Sequence, residues 1–267
     1  MHRLAAFLIR DFYIETSYRV AFWGGLVGIF LNTFVFYFLS EFLGSRTSDL
    51  LSEYNSDYFA FVLIGLALGS YFGVGLTSFA RALRQAQTTG TLEALLMTPT
   101  AVGTVITGSA LWSYTYATVR VLIYLLIGSL FLGLNLGQAN YLAALVILLL
   151  AIIAFASLGI IIASLIMIIK RGDSLTALFG SFANLVGGVF YPIDIMPTWL
   201  QTVAQLLPIT HALRAMRLAL LTTASWQELA PEMFILALFC LILFPFALIL
   251  FRLAVNRARQ DGSLAQY

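Results

Sequence analysis

Long apolar runs dominate the chain, at residues 20–43, 57–80, 103–132, 139–169, 175–190 and 232–253. A helix needs about 20 apolar residues to cross roughly 30 Å of hydrocarbon, and a segment in lipid must satisfy its backbone internally, as a helix does. The pattern predicts an all-α integral membrane protein with six transmembrane helices. The fifth run is short because it meets Tyr191-Pro192-Ile193-Asp194-Ile195-Met196-Pro197, where two prolines stop a helix.

Between the fifth and sixth runs the pattern turns amphipathic. Leu200, Val203 and Leu207 share one helical face, and beyond Pro208 a second set follows at Ile209, Leu213, Met216 and Leu220. Neither set reaches spanning length. We expect two short helices within residues 191–231, lying at or dipping into the outer leaflet, with His211, Arg214 and Arg217 turned towards headgroups. The rival, one further span broken at Pro208, is disfavoured because it sets two arginines at membrane depth.

Two other segments are locally patterned. In residues 1–19, Leu8, Ile9, Phe12 and Tyr13 oppose Arg3 and Arg10, which suits an interfacial helix turning into the first span near Trp23. No cleavage site of small residues follows a short apolar core there, so this terminus is expected to be retained. Between the second and third runs lies Gly90-Thr91-Leu92-Glu93-Ala94-Leu95-Leu96-Met97-Thr98-Pro99. Glu93 suits the positive end of a helix that Pro99 stops, and Leu92, Leu95 and Leu96 form a ridge two turns long. The ridge has two readings: a knob for a partner protein's groove, or a surface turn folded back on the membrane interface.

Composition agrees with a lipid solvent. Hydrophobic residues make up 61% and charged residues 10%, with mean hydropathy +0.96, against about 45–50% and 25% in soluble domains. Six spans leave no room for a soluble catalytic domain, so one domain over residues 1–267 is expected. Net charge is +2, carried by arginines beside the spans, which sets orientation and implies no nucleic-acid surface. Arg3, Arg10, Arg19, Arg81, Arg84, Lys170, Arg171, Arg252, Arg257 and Arg259 fall on one side, so both termini are expected to be cytoplasmic.

Energy chemistry is missing. The only lysine, Lys170, lies between Ile169 and Arg171, so a phosphate-binding loop ending in Gly-Lys-Ser/Thr cannot be built. Histidine occurs only at His2 and His211, outside the runs, which leaves a metal site or Ser-His pair within the membrane nothing to build on. Acidic residues are absent from the middle of the runs, against coupling through buried carboxylates. Cys240 is alone and reads as a small hydrophobe.

Within the runs, Gly65, Gly69 and Gly73 recur every fourth residue, as do Gly24 and Gly28, a spacing that lets helices approach closely. Arg120 is the one charge clearly inside a run, with Tyr116 and Tyr124 one helical turn away on either side. An intramembrane arginine faces a wet cavity, a headgroup or a partner subunit, or snorkels. Tyr71, Tyr114, Tyr116 and Tyr124 suit stacking on sugars or acyl chains, or plain packing.

Two segments carry a family resemblance. GTLEALLMTP at 90–99 and GGVFYPIDIMPTWLQTVAQLLPITHALRAMR at 187–217 resemble signatures of ABC type-2 transporter permeases, closest to the branch exporting drugs and lipo-oligosaccharides, with polysaccharide exporters near. The resemblance implies that residues 90–98 are a coupling helix seated in an ATPase subunit through Leu92, Glu93, Leu95 and Leu96, with Lys170 and Arg171 in a second contact. It makes residues 193–221 re-entrant outer helices, with Phe190, Tyr191, Pro192, Trp199, Arg214 and Arg217 near an external gate. Arg120, Tyr116 and Tyr124 would then flank a substrate path or touch headgroups.

The implied assembly has two ABC ATPase subunits and two permeases, the second expected to be a copy of this chain, in a bacterial cytoplasmic (inner) membrane. ATP and Mg would be bound by the ATPase, with no cofactor in this chain and no catalysis of its own. Export of an amphiphilic or lipid-linked substrate, whether lipid, glycolipid, polysaccharide or drug, is the expected function. Two rivals stay open: an ATP-independent secondary transporter or channel, and a non-transporting membrane scaffold.

Overall fold

The computed structural model describes residues 9, 12, 13, 17, 19–44, 49–54, 56–88, 102–134, 136, 137, 139–169 and 173–260. Eight α-helices follow one another among them: α1 (Arg19–Leu43), α2 (Tyr58–Thr88), α3 (Val102–Phe131), α4 (Tyr141–Ile169), α5 (Asp173–Val186), α6 (Thr198–Gln205), α7 (Pro208–Leu221) and α8 (Trp226–Gln260). Short 3-10 helices occupy Asp49–Tyr54 and Ile193–Ile195, and the described residues contain no strand.

Among the described residues five helices are long and apolar enough to cross a membrane: Trp23–Leu43, Tyr58–Ala82, Ala110–Phe131, Tyr141–Met167 and Trp226–Arg257. The fifth apolar run departs from the six-span expectation. Its helix α5 has 14 residues, about 21 Å of rise, which falls short of the hydrocarbon thickness. The stop comes earlier than the two prolines, at Gly187–Gly188, where Gly188 takes φ +85 and Gly187 N–H closes the last turn on the Ala183 carbonyl at 2.7 Å.

Local chemistry sets the other ends. Gly133 at φ +75 turns the chain after α3, and the Gly128 carbonyl accepts from both Leu132 and Leu134 at 3.2 and 3.0 Å. Asn140 caps α4 by accepting from Ala143 N–H at 3.1 Å, and its own N–H donates to the Ala219 carbonyl at 2.8 Å. The last helix starts before Pro231, earlier than the apolar run does, where the Glu228 carboxylate reaches back to accept from Ser225 N–H at 2.7 Å and Glu228 N–H donates to the Ser225 carbonyl at 3.1 Å. Pro208 opens α7 at its first turn, where its missing N–H costs nothing.

α2 and α4 form the middle of the bundle. α4 packs on α8 and α2, α3 lies along α2, and α7 is wedged among α4, α8 and α2. Tyr71, Phe72, Phe155, Ile147, Ile209 and Leu213 fill the shared core. α1 and α8 lie at the margin, turning Phe30, Phe38, Phe42, Phe234, Leu241 and Phe246 outward, as lipid permits.

Glycine makes the crossings possible, though only in part where its spacing suggests. A Cβ on Gly65 would overlap the Val189 carbonyl oxygen, and one on Gly159 would overlap the Gly75 carbonyl oxygen at the α2–α4 crossing. Gly69 meets Asn184 and Val189 at ordinary contact distance, whereas Gly73, Gly24 and Gly28 have nothing within 4 Å. The regular spacing thus marks two real contacts out of five, and the closest approach uses Gly75 and Gly159.

Candidate functional site

Helix α7 carries His211, Arg214 and Arg217, and the structure turns His211 and Arg217 into the protein. Arg217 is 3% exposed; its Nε donates to the Phe61 carbonyl at 3.2 Å and its Nη2 to the Val189 carbonyl at 3.1 Å. Its guanidinium carbon lies 3.4 Å from the centre of the Phe61 ring, a cation–π contact. Gly65 permits this, since a Cβ there would stand 2.9 Å from Nη2. The headgroup-facing expectation fails for Arg217 and His211, which both lie buried. An amphipathic period tells which residues share a face, and here the face with the charges packs against α2, α8 and the 187–193 turn.

His211 stands between two acceptors. Nδ1 lies 2.6 Å from Glu232 Oε2 and Nε2 2.9 Å from the Gln205 carbonyl. Arg214 continues the cluster, donating from Nη1 to Glu232 Oε1 at 3.2 Å and from Nη2 to Glu53 Oε1 at 2.8 Å. The chain links four elements: the 49–54 3-10 helix, α6, α7 and the start of α8. Arg214 is half exposed, unlike His211 and Arg217.

Environment shifts these groups. Burial pulls the His211 pKa down, and the Glu232 hydrogen bond, the Gln205 carbonyl and the Glu232 charge outweigh it, leaving the pKa above its ordinary value. The Glu53 hydrogen bond raises Arg214. Burial lowers Arg217 to about 9, still cationic at neutral pH, and pushes Tyr54 up to about 12, helped by the Glu53 charge.

A cavity of about 600 Å³ opens among these residues. Pro192, Asp194, His211, Arg214, Arg217 and Glu232 contribute to one side, and Ile235, Leu238, Phe239 and Ile242 of α8 form an apolar wall. Of the predicted gate residues, Pro192, Arg214 and Arg217 are brought together here. Phe190 instead stacks on Phe36 at 5.9 Å, Tyr191 is not among the cavity residues, and Trp199 is 68% exposed.

Arg120 lies elsewhere. Its guanidinium carbon is 5.2 Å from the Tyr116 ring centre, and its Nε is buried with no hydrogen-bond partner among the described residues. Tyr124 does not complete the trio: it is buried in a cluster with Ile29, Phe59 and Leu63. A second, apolar cavity of about 270 Å³ involves Tyr71, Thr118 and Tyr141 but not Arg120. The predicted coupling residues Leu92, Glu93, Leu95, Leu96, Lys170 and Arg171 lie outside the described residues.

Glu232 and Glu53 were missed by sequence reasoning. Glu232 left a trace, as a carboxylate at the first position of the last apolar run, where burial without a partner is costly. Glu53 left none, because its partner Arg214 is 161 residues away.

The comparisons with known proteins add one match. No curated protein matches the chain. The ABC-2 type transporter family model matches residues 6–221. That span is well over half of the sequence and runs through four of the five membrane-crossing helices and the α6–α7 insert. The chain therefore belongs to the ABC-2 type transporters, as a multi-pass membrane permease of a family that normally works with an ABC ATPase.

Proposed function

We propose that this permease exports an amphiphilic or lipid-linked molecule across the cytoplasmic membrane, driven by ATP hydrolysis in a partner ATPase. The observation that supports it is the polar cluster on α7: an insert too short to span is anchored inside the bundle and walls a cavity with both charged and apolar sides. Such a lining suits a ligand with a polar head and an apolar body. The chain has no nucleotide-binding loop of the Gly-Lys-Ser/Thr type, so a mechanical contact must bring in the free energy.

In this reading residues 90–98 form the coupling helix, and Lys170 and Arg171 make a second contact with the ATPase. Two ATPases serve two permeases, the second a copy of this chain. Residues 1–267 act as one domain with both termini cytoplasmic, and α5 with the 187–192 turn completes the sixth crossing. ATP closure of the partner draws the coupling helices together and opens a path outward.

The test is a proteoliposome assay with the ATPase present. Glu93→Ala and Leu95→Ala are expected to leave assembly intact and ATP hydrolysis measurable while transport falls at least tenfold. Transport at full rate in either variant rejects the coupling assignment, and uphill transport by the permease without the ATPase rejects the whole reading.

A further inference from the structure

The charged side chains around the 600 Å³ cavity divide into those that neutralise one another and two that do not. Arg214 is shared by Glu53 and Glu232, and Glu232 also holds His211. Arg217 is different. It is buried, no carboxylate lies within ion-pair distance of it among the described residues, and its Nη1 makes no hydrogen bond while Nε and Nη2 hold carbonyls. A desolvated cation with a spare N–H bordering a cavity calls for an anion. Tyr54 also lines the cavity, whereas the Thr210 hydroxyl already donates to the Gly187 carbonyl at 3.4 Å.

The second unmatched charge is of opposite sign. Asp194 is exposed and lines the cavity, and its carboxylate makes neither a hydrogen bond nor an ion pair among the described residues. The remaining wall is apolar, and its Leu238 and Ile242 are 45% and 58% exposed, which leaves that side of the cavity open at the surface. One buried cation, one exposed carboxylate and an apolar flank open at the surface describe a complement with three parts.

We propose that this cavity binds a zwitterionic amphiphile, with an oxyanion of its headgroup on Arg217, an ammonium on Asp194, and its chains along Ile235, Leu238 and Ile242. The volume suits this, since ligand pockets run from about 300 to 1,000 Å³. An anion alone would leave Asp194 repelling it at the entrance, and a cation alone would meet Arg217 at the floor. The inference goes beyond the permease reading. Binding is measured on the chain without an ATPase, so a failed binding test leaves the transport reading standing.

The experiment is native mass spectrometry of the delipidated full-length protein in detergent, titrated with phosphatidylethanolamine or phosphatidylglycerol. Wild type is expected to bind the ethanolamine lipid at least fivefold tighter. Asp194→Asn should abolish that preference, weakening the ethanolamine lipid and tightening phosphatidylglycerol, which no longer meets a like charge at the entrance. Arg217→Gln should weaken both at least tenfold; because Arg217 also holds two carbonyls, Asp194→Asn decides if the arginine variant does not fold. Equal binding of the two lipids by wild type, or a preference that survives in Asp194→Asn, overturns the proposal. Free phosphoethanolamine competing as well as the intact lipid overturns the amphiphile assignment in favour of a soluble ligand.

Discussion

Glu232 Oε2 lies 2.6 Å from His211 Nδ1, while the other imidazole nitrogen faces the Gln205 carbonyl at 2.9 Å. Both neighbours are acceptors, and a neutral imidazole carries only one N–H. With Arg214 donating to the other carboxylate oxygen, the arrangement is satisfied by a doubly protonated His211. The junction of α6, α7 and α8 is thus built around a bound proton.

Stability should follow that proton. The folded-state pKa of His211 is raised, so its contribution is complete below the unfolded value of about 6.5 and is lost as pH rises through the folded value. Thermal unfolding in detergent should show a melting temperature that falls from pH 6 towards pH 8. The slope should flatten in His211→Asn, and a wild-type profile that rises over this range would contradict the assignment.

The two carboxylates of the cluster should differ in weight. Glu232 is buried and is the carboxylate that holds His211, so Glu232→Ala leaves that imidazole uncompensated while Arg214 keeps Glu53, a change of the kind that costs about 3–5 kcal/mol. Glu53 and Arg214 are 42% and 50% exposed, and screening limits Glu53→Gln to about 1 kcal/mol or less. Denaturation of both variants side by side tests the order.

Gly65 and Gly73 lie two turns apart on one helix and should respond oppositely to alanine. At Gly65 the added methyl meets backbone at Val189 and the Arg217 guanidinium, neither of which can yield easily, so Gly65→Ala should cost about 1–3 kcal/mol. Gly73 has open space, and Gly73→Ala should stabilise by up to about 1 kcal/mol through helix propensity. Melting temperatures moving in the same direction would show that α2 packs differently.

Arg120 should prove dispensable for folding. Its Nε is buried without a partner among the described residues, so Arg120→Leu removes an unmet polar group and the melting temperature should hold or rise. A loss of transport in the same variant would show that the arginine is retained for function. A clear drop in melting temperature would make it structural.

How much was legible beforehand follows from what is local. The two short helices were readable because Pro197, Pro208 and two amphipathic sets lie within 25 residues, and α6 and α7 form at Thr198–Gln205 and Pro208–Leu221. The inward direction of Arg217 was not readable. Periodicity assigns faces, and only the approach of Phe61 and Val189 over Gly65 makes a buried arginine tolerable.

By itself the order of residues determined that lipid is the solvent, that the backbone must close on itself in helices, and that no phosphate-binding lysine loop is present, because each depends on composition and near neighbours. Tertiary structure alone decided that Gly75 and Gly159 make the close crossing, that Glu53 reaches Arg214, and that Glu232 holds His211. Those relationships join residues 21 to 161 positions apart, and they exist only once the helices have packed and taken water away from the charges they carry.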